Sequence, residues 1–169
     1  MNLEQAIKTA LEYEQRVRDT YRDAIKKMKD AVGRKVFQVL ADEEQGHVDY
    51  LQNRLAEWTK TGTVTPATLA TAIPSPEQIA AGVKQLKQPL KRIDHSVELE
   101  LLKKALEVEL TTGNFYQQMT KEMDGAGQQM FARFLEIEQG HRTIVQAQID
   151  AVSGLGYWFD FQEFDLEAG

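Results

Sequence analysis

A glutamate followed by a Glu-x-x-His unit occurs twice in this chain, as Glu14, Glu44 and His47 and again as Glu109, Glu138 and His141. The repeat extends beyond these six residues. Ala10-Leu11-Glu12-Tyr13-Glu14 returns as Ala105-Leu106-Glu107-Val108-Glu109, with Tyr21 and Tyr116 each seven residues past the last glutamate. Glu44-Gln45-Gly46-His47 returns letter for letter as Glu138-Gln139-Gly140-His141, at an offset of 94 against 95 for the first block. Four carboxylates and two imidazoles can hold two divalent cations side by side, with the charges balanced. Mixed carboxylate and imidazole ligation suits iron or manganese, and zinc can occupy such a set.

The elements that must position these residues are helices. Residues 3, 7, 10, 14, 17, 21, 24 and 28 are Leu, Ile, Ala, Glu, Val, Tyr, Ala and Met, one stripe at alternating spacings of four and three. That spacing is one face of an amphipathic helix, with Glu14 in its middle. A tight connection follows at Asp30 to Gly33. Phe37, Leu40, Glu44, His47, Leu51, Leu55 and Trp58 form the second stripe, ended by Gly62 and a threonine-rich run to Thr71. Ser75-Pro76-Glu77-Gln78 has the form of a helix start, with a serine cap, proline in the first turn and glutamine three past the cap. This short helix is expected to stop before Pro89. A third long helix is expected from near Asp94, with the stripe Leu102, Ala105, Glu109, Thr112, Tyr116, Met119 and Met123. After a turn at Asp124 to Gly127, the fourth stripe is Phe131, Phe134, Glu138, His141, Val145 and Val152, closed by Gly154 and Gly156.

The fold class expected is all-α, a four-helix bundle of two helical hairpins joined by a long crossover. The bundle spans 1–153, with the crossover at 60–94, and an aromatic, acidic arm occupies 154–169. All six repeated residues fall on apolar stripes. An isolated buried carboxylate costs several kcal/mol, and a small domain has a margin of only about 5–15 kcal/mol. Compensation is required: two divalent cations supply it, and a fully hydrogen-bonded polar network is the alternative.

Composition narrows the function classes. The chain has 169 residues, 42% hydrophobic and 27% charged, enough for one globular domain with its own core. Glycine and proline total 15, which fits long helices with short punctuation. A net charge of −6 without any Lys/Arg cluster argues against nucleic acid as a partner. The absence of cysteine excludes disulfides, zinc ribbons and iron–sulfur clusters, so electrons must come from an external donor. No apolar run approaches the roughly 20 residues of a membrane span, and Met1 to Ala10 has no signal-peptide core. A cytoplasmic protein with no membrane partner is the expectation.

On Glu14, Glu44-x-x-His47, Glu109 and Glu138-x-x-His141, the chain over roughly residues 2–152 resembles the ferritin-like diiron-carboxylate superfamily, in particular its rubrerythrin-like branch. The resemblance implies a ferritin-like bundle, two iron ions held by those six residues with Glu44 and Glu138 bridging, and a homodimer. It implies an oxidoreductase that reacts with dioxygen or hydrogen peroxide in oxidative stress or iron homeostasis. Ferroxidase chemistry with iron storage or detoxification is the second reading, and a non-catalytic, metal-stabilised interaction module the third. Two departures from the branch are visible. Thr112 stands where typical rubrerythrins carry a further glutamate, and there is no cysteine-rich rubredoxin domain. Gln45 stands where bacterioferritins carry a haem-binding methionine, so no haem is expected.

Other residues have open roles. Tyr21 and Tyr116 lie two turns from their own glutamates. They are read as donors to a carboxylate of the other half, as radical sinks, or as core aromatics. Gly46 and Gly140 imply close approach of a neighbour, room for a small oxidant, or common ancestry of the halves. His95 is expected at the surface or as a cap. The arm Tyr157-Trp158-Phe159-Asp160-Phe161-Gln162-Glu163-Phe164-Asp165-Leu166 is expected to pack on its own bundle or across a dimer interface, with a docking peptide as the alternative.

Overall fold

The computed structural model describes residues 1–88 and 93–165. Within them the chain forms α1 (Leu3–Lys27), α2 (Ala31–Thr61), α3 (Pro76–Lys84), α4 (Ser96–Glu122), α5 (Gly125–Gly154) and a short 3-10 helix, Phe161–Asp165, with no strand among the described residues. None of these helices is long and apolar enough to cross a membrane.

Local chemistry sets the boundaries. Asn2 and Gln5 cap α1 reciprocally, the Asn2 side chain accepting from the Gln5 amide at 2.9 Å. The Asp30 carboxylate accepts from Gly33 N at 2.9 Å and opens α2 three residues after α1 ends. Gly62 closes α2 at φ 70°, a left-handed conformation that glycine adopts without strain. Ser75 and Gln78 form the expected capping box, with Pro76 in the first turn. The helix they open ends at Lys84; Pro89 lies outside the described residues.

The helices pack in two hairpins. α1 lies along α2, α4 lies along α5, and α1 also packs on α4. The segment from Gly62 to His95, containing α3, joins the hairpins. Two apolar clusters fill the interior. One gathers Ala6, Ile7, Ala10, Leu51, Tyr116, Phe131 and Phe134; the other gathers Val17, Tyr21, Leu40, Leu102, Ala105 and Val145. On each of the four long helices the repeated glutamate falls between members of the two clusters, as Glu14 does between Ala10 and Val17. The six repeated residues therefore form a polar layer between two apolar clusters.

The C-terminal arm packs on the chain itself. Trp158, Phe159 and Phe161 are buried, and Trp158 meets Phe37 edge to face with ring centroids 5.6 Å apart. Gly33 makes room for it, since a β-carbon there would stand 2.7 Å from both the Trp158 ring and Met28 Sδ. The buried Gln148 amide clamps the arm, donating to Phe159 O at 2.7 Å and accepting from Phe159 N at 3.2 Å. Lys35 pairs with Asp160. Leu166, at the end of the arm, lies outside the described residues.

His95 departs from its expectation. It occupies the N-cap position of α4 but makes no side-chain cap bond and is 6% exposed. Asp94 takes the local capping contact instead, accepting from Ser96 N at 2.9 Å, and leaves the imidazole to pack inward.

Candidate metal centre

Each long helix delivers its ligand-type side chains to one layer: Glu14 from α1, Glu44 and His47 from α2, Glu109 from α4, and Glu138 and His141 from α5. All six are at most 1% exposed. The three-residue spacing of Glu-x-x-His puts both side chains of each unit on one helix face. His47 Nδ1 lies 3.0 Å from Glu14 Oε2, 3.2 Å from Glu44 Oε2 and 3.7 Å from Glu138 Oε1. His141 Nδ1 lies 2.7 Å from Glu44 Oε1 and 3.7 Å from Glu109 Oε1. The two imidazoles stack, with centroids 5.5 Å apart and planes 10° from parallel.

Two groups of four in this layer could hold a metal ion: Glu14, Glu44, His47 and Glu138, and Glu44, Glu109, Glu138 and His141, each with its ligand atoms within 4.8 Å of one another. Glu44 and Glu138 belong to both, and Glu43, His47 and His141 form a third, smaller group within the same distance. The donor set fits divalent cations for a further reason. Glu109 Oε2 and both oxygens of Glu138 are buried without a hydrogen-bond partner. Polar atoms left so in a dry interior cost about 1–3 kcal/mol each. A hydrogen-bonded polar network would have satisfied them, whereas cations would draw on these same lone pairs.

The tyrosines cross between the halves. Tyr21 donates to Glu109 Oε1, and Tyr116 donates to Glu14 Oε1. Burial and the charge of the accepting carboxylate hold both phenols well above their ordinary pKa, so they stay protonated and donate. Each phenol occupies one carboxylate oxygen of the opposite hairpin and fixes the plane of the group.

Glu43 was not singled out by the sequence pattern, yet it touches the layer from the crossover side. Its Oε2 is 2.7 Å from His141 Nε2. Thr71 Oγ1 donates to it at 2.8 Å, and the Ala72 amide donates to its other oxygen. Burial pushes the Glu43 carboxyl up, but the His141 contact and these donors outweigh it and leave the group below its usual range. The signal was present in α2, where position 43 is three past Leu40 and four before His47.

Other positions serve elsewhere. Thr112 donates to Val108 O at 2.9 Å and so satisfies its own helix. Gln45 faces outward and accepts from Arg18 at 3.2 Å and Arg22 at 3.0 Å, tying α2 to α1. No neighbour stands within 4 Å of a β-carbon built at Gly46, and only Ile73, at 3.9 Å, does so at Gly140. Close approach therefore does not explain this pair of glycines. A groove of about 600 Å³ lies over α3, α4 and α5 between Ile79, Val83, Leu106 and Ala147, and none of the six residues lines it.

Without cations the layer must hold protons. Burial and the nearby Glu44 charge push the Glu14 carboxyl up to about 8, and burial with Glu109 and Glu14 raises Glu138 well above the carboxylate range. Burial alone would depress His47, but Glu44 and Glu14 lift it to about 10. A cation must displace these protons. Affinity is therefore expected to rise with pH through about 8, as the Glu14 proton becomes easier to remove. Calorimetry at pH 7 in buffers of different protonation enthalpy should show at least three protons released per loaded chain, one each from Glu14, Glu138 and His47. Release of none would mean that the protons are not where this geometry places them.

Comparison with protein-family models, with curated proteins and with solved structures finds no match to this chain.

Proposed function

We propose that the chain is a ferritin-like four-helix bundle of the rubrerythrin-like kind. In this reading Glu14, Glu44, His47, Glu109, Glu138 and His141 hold two iron ions, and the protein is a non-haem diiron oxidoreductase acting on dioxygen or hydrogen peroxide. The observation that carries the reading is the pair of interlocked, fully buried Glu/His groups that share Glu44 and Glu138. Manganese or zinc suits the same donors, with only iron and manganese able to change oxidation state.

The chain's own residues have defined tasks. Glu44 and Glu138 belong to both groups of four and would be the carboxylates shared between two ions. Glu14 and Glu109 serve one group each, oriented by the Tyr116 and Tyr21 phenols from the opposite hairpin. Both Nδ1 atoms face the carboxylates. Phe134, against the edge of His47 at a centroid separation of 5.4 Å, helps exclude water, and a dry site strengthens each electrostatic contact within it. Iron, when bound, would supply the electrons for reducing the oxidant and accept replacements from an external donor.

The test is to load the protein with two Fe(II) per chain without air, add excess hydrogen peroxide or dioxygen with an external reductant, and count oxidant consumed. Sustained turnover at two irons per chain supports the oxidoreductase. Consumption of many more irons with a mineral product would move the assignment to ferroxidase and storage. Binding without oxidant consumption would leave a metal-stabilised interaction module.

A further inference from the structure

The repeat gives the two histidines the same neighbours in sequence, but the structure does not give them the same partners. Glu43 precedes Glu44 in α2, and Ile137 holds the matching place before Glu138 in α5. His141 consequently has a carboxylate on its Nε2, at 2.7 Å, while His47 Nε2 is buried with no partner. His47 is buried and packs against the cluster and Phe134, and it makes no hydrogen bond to Glu43. Glu43 is itself held on both oxygens, by Thr71 and by the Ala72 amide, both in the segment joining the hairpins. Thr71 also caps that segment's own turn, accepting from Ile73 N at 3.1 Å.

A carboxylate on the distal nitrogen of a metal-binding imidazole keeps the proton there. It frees the other nitrogen as the ligand, fixes the ring and raises its basicity. We infer that Glu43 is a positioning residue that makes the two cation positions unequal, so that the group containing His141 fills before the group containing His47. The difference expected is about 10–100-fold in affinity, the usual effect of such an outer partner. The inequality does not come from the six ligand-type residues, which the repeat makes equivalent, but from one glutamate that the repeat does not share. It also ties filling order to the crossover, because Thr71 and Ala72 hold Glu43 in place. The inference rests on the two-cation reading above.

Zn(II) titration followed by imidazole ¹⁵N and ¹H resonances tests it, and the chain has only 3 histidines to assign. In the wild type, the first equivalent of zinc should shift His141 and leave His47 largely unchanged; the second should shift His47. In Glu43→Leu the two should shift together, still with two zinc ions per chain. Glu43→Gln, which keeps an acceptor for Nε2–H, should restore the order in part, a rescue that a merely structural role would not show. Thr71→Val, which touches neither histidine, should narrow the gap and serves if Glu43→Leu fails to fold. Simultaneous shifts in the wild type, or an unchanged order in Glu43→Leu, would overturn the inference while leaving two cations bound. A third zinc, lost in Glu43→Leu, would make Glu43 a ligand and overturn it as well. No zinc bound to the wild type would remove the two-cation reading and this inference together.

Discussion

Glu138→Gln should abolish binding of both cations, not one, and should make the metal-free protein more stable at neutral pH. Both effects follow from the position of Glu138 in both groups of four and from its two unpartnered oxygens. An amide has one acceptor oxygen and no charge, so neither group keeps a bridge. Affinity at each position should fall by more than the roughly 10–100-fold that loss of an outer partner costs. The stability effect has the opposite sign. Burial and neighbouring carboxylates raise Glu138 well above its ordinary range in the folded state. A group with a raised folded pKa contributes its stability below its unfolded value and loses that contribution as pH rises through the folded one. Glutamine does not titrate, so the metal-free variant should gain on the wild type as pH rises above about 5. At neutral pH a gain of about 1 kcal/mol, or roughly 2–4 °C in midpoint, is expected. Parallel thermal melts and metal counts check both signs. A variant that loses stability while still binding two cations would mark Glu138 as part of a structural polar network.

Cation loading should produce the largest change in thermal stability. A ligand at 100 times its Kd adds about 2.7 kcal/mol, so two filled positions add roughly 5 kcal/mol. For a chain of this size that is a rise of about 10–20 °C. The increment should be larger at pH 8 than at pH 6, because cations and protons compete for Glu14 and His47. Melts with and without Fe(II) or Zn(II) at both pH values measure it, and Glu44→Ala with Glu138→Ala should remove it. A shift of 1–2 °C at saturating metal would be too small for cations that neutralise a buried layer.

Much of this arrangement was legible because duplication leaves a pattern that core packing alone does not. Helical spacing put Glu14, Glu44, His47, Glu109, Glu138 and His141 on apolar stripes, and the structure brings them into one buried layer. The tight connection at Asp30, the glycine stop at Gly62 and the cap at Ser75 set local boundaries because such signals act within a few residues. What was not legible depends on contacts between distant segments. Glu43 was hidden because its counterpart is Ile137, and a reading built on repeats selects only what both halves share. The Gln148 clamp on the arm joins positions whose relation exists only once α5 and the arm have packed. His95 was read as a surface or capping residue because it stands beside a helix start, which does not say which way its side chain turns.

Anaerobic Fe(II) titration of the wild-type protein decides whether this layer is a two-cation centre. Tight uptake of two irons per chain is expected, with a sharp end point and proton release. An end point at zero or one iron per chain would contradict it.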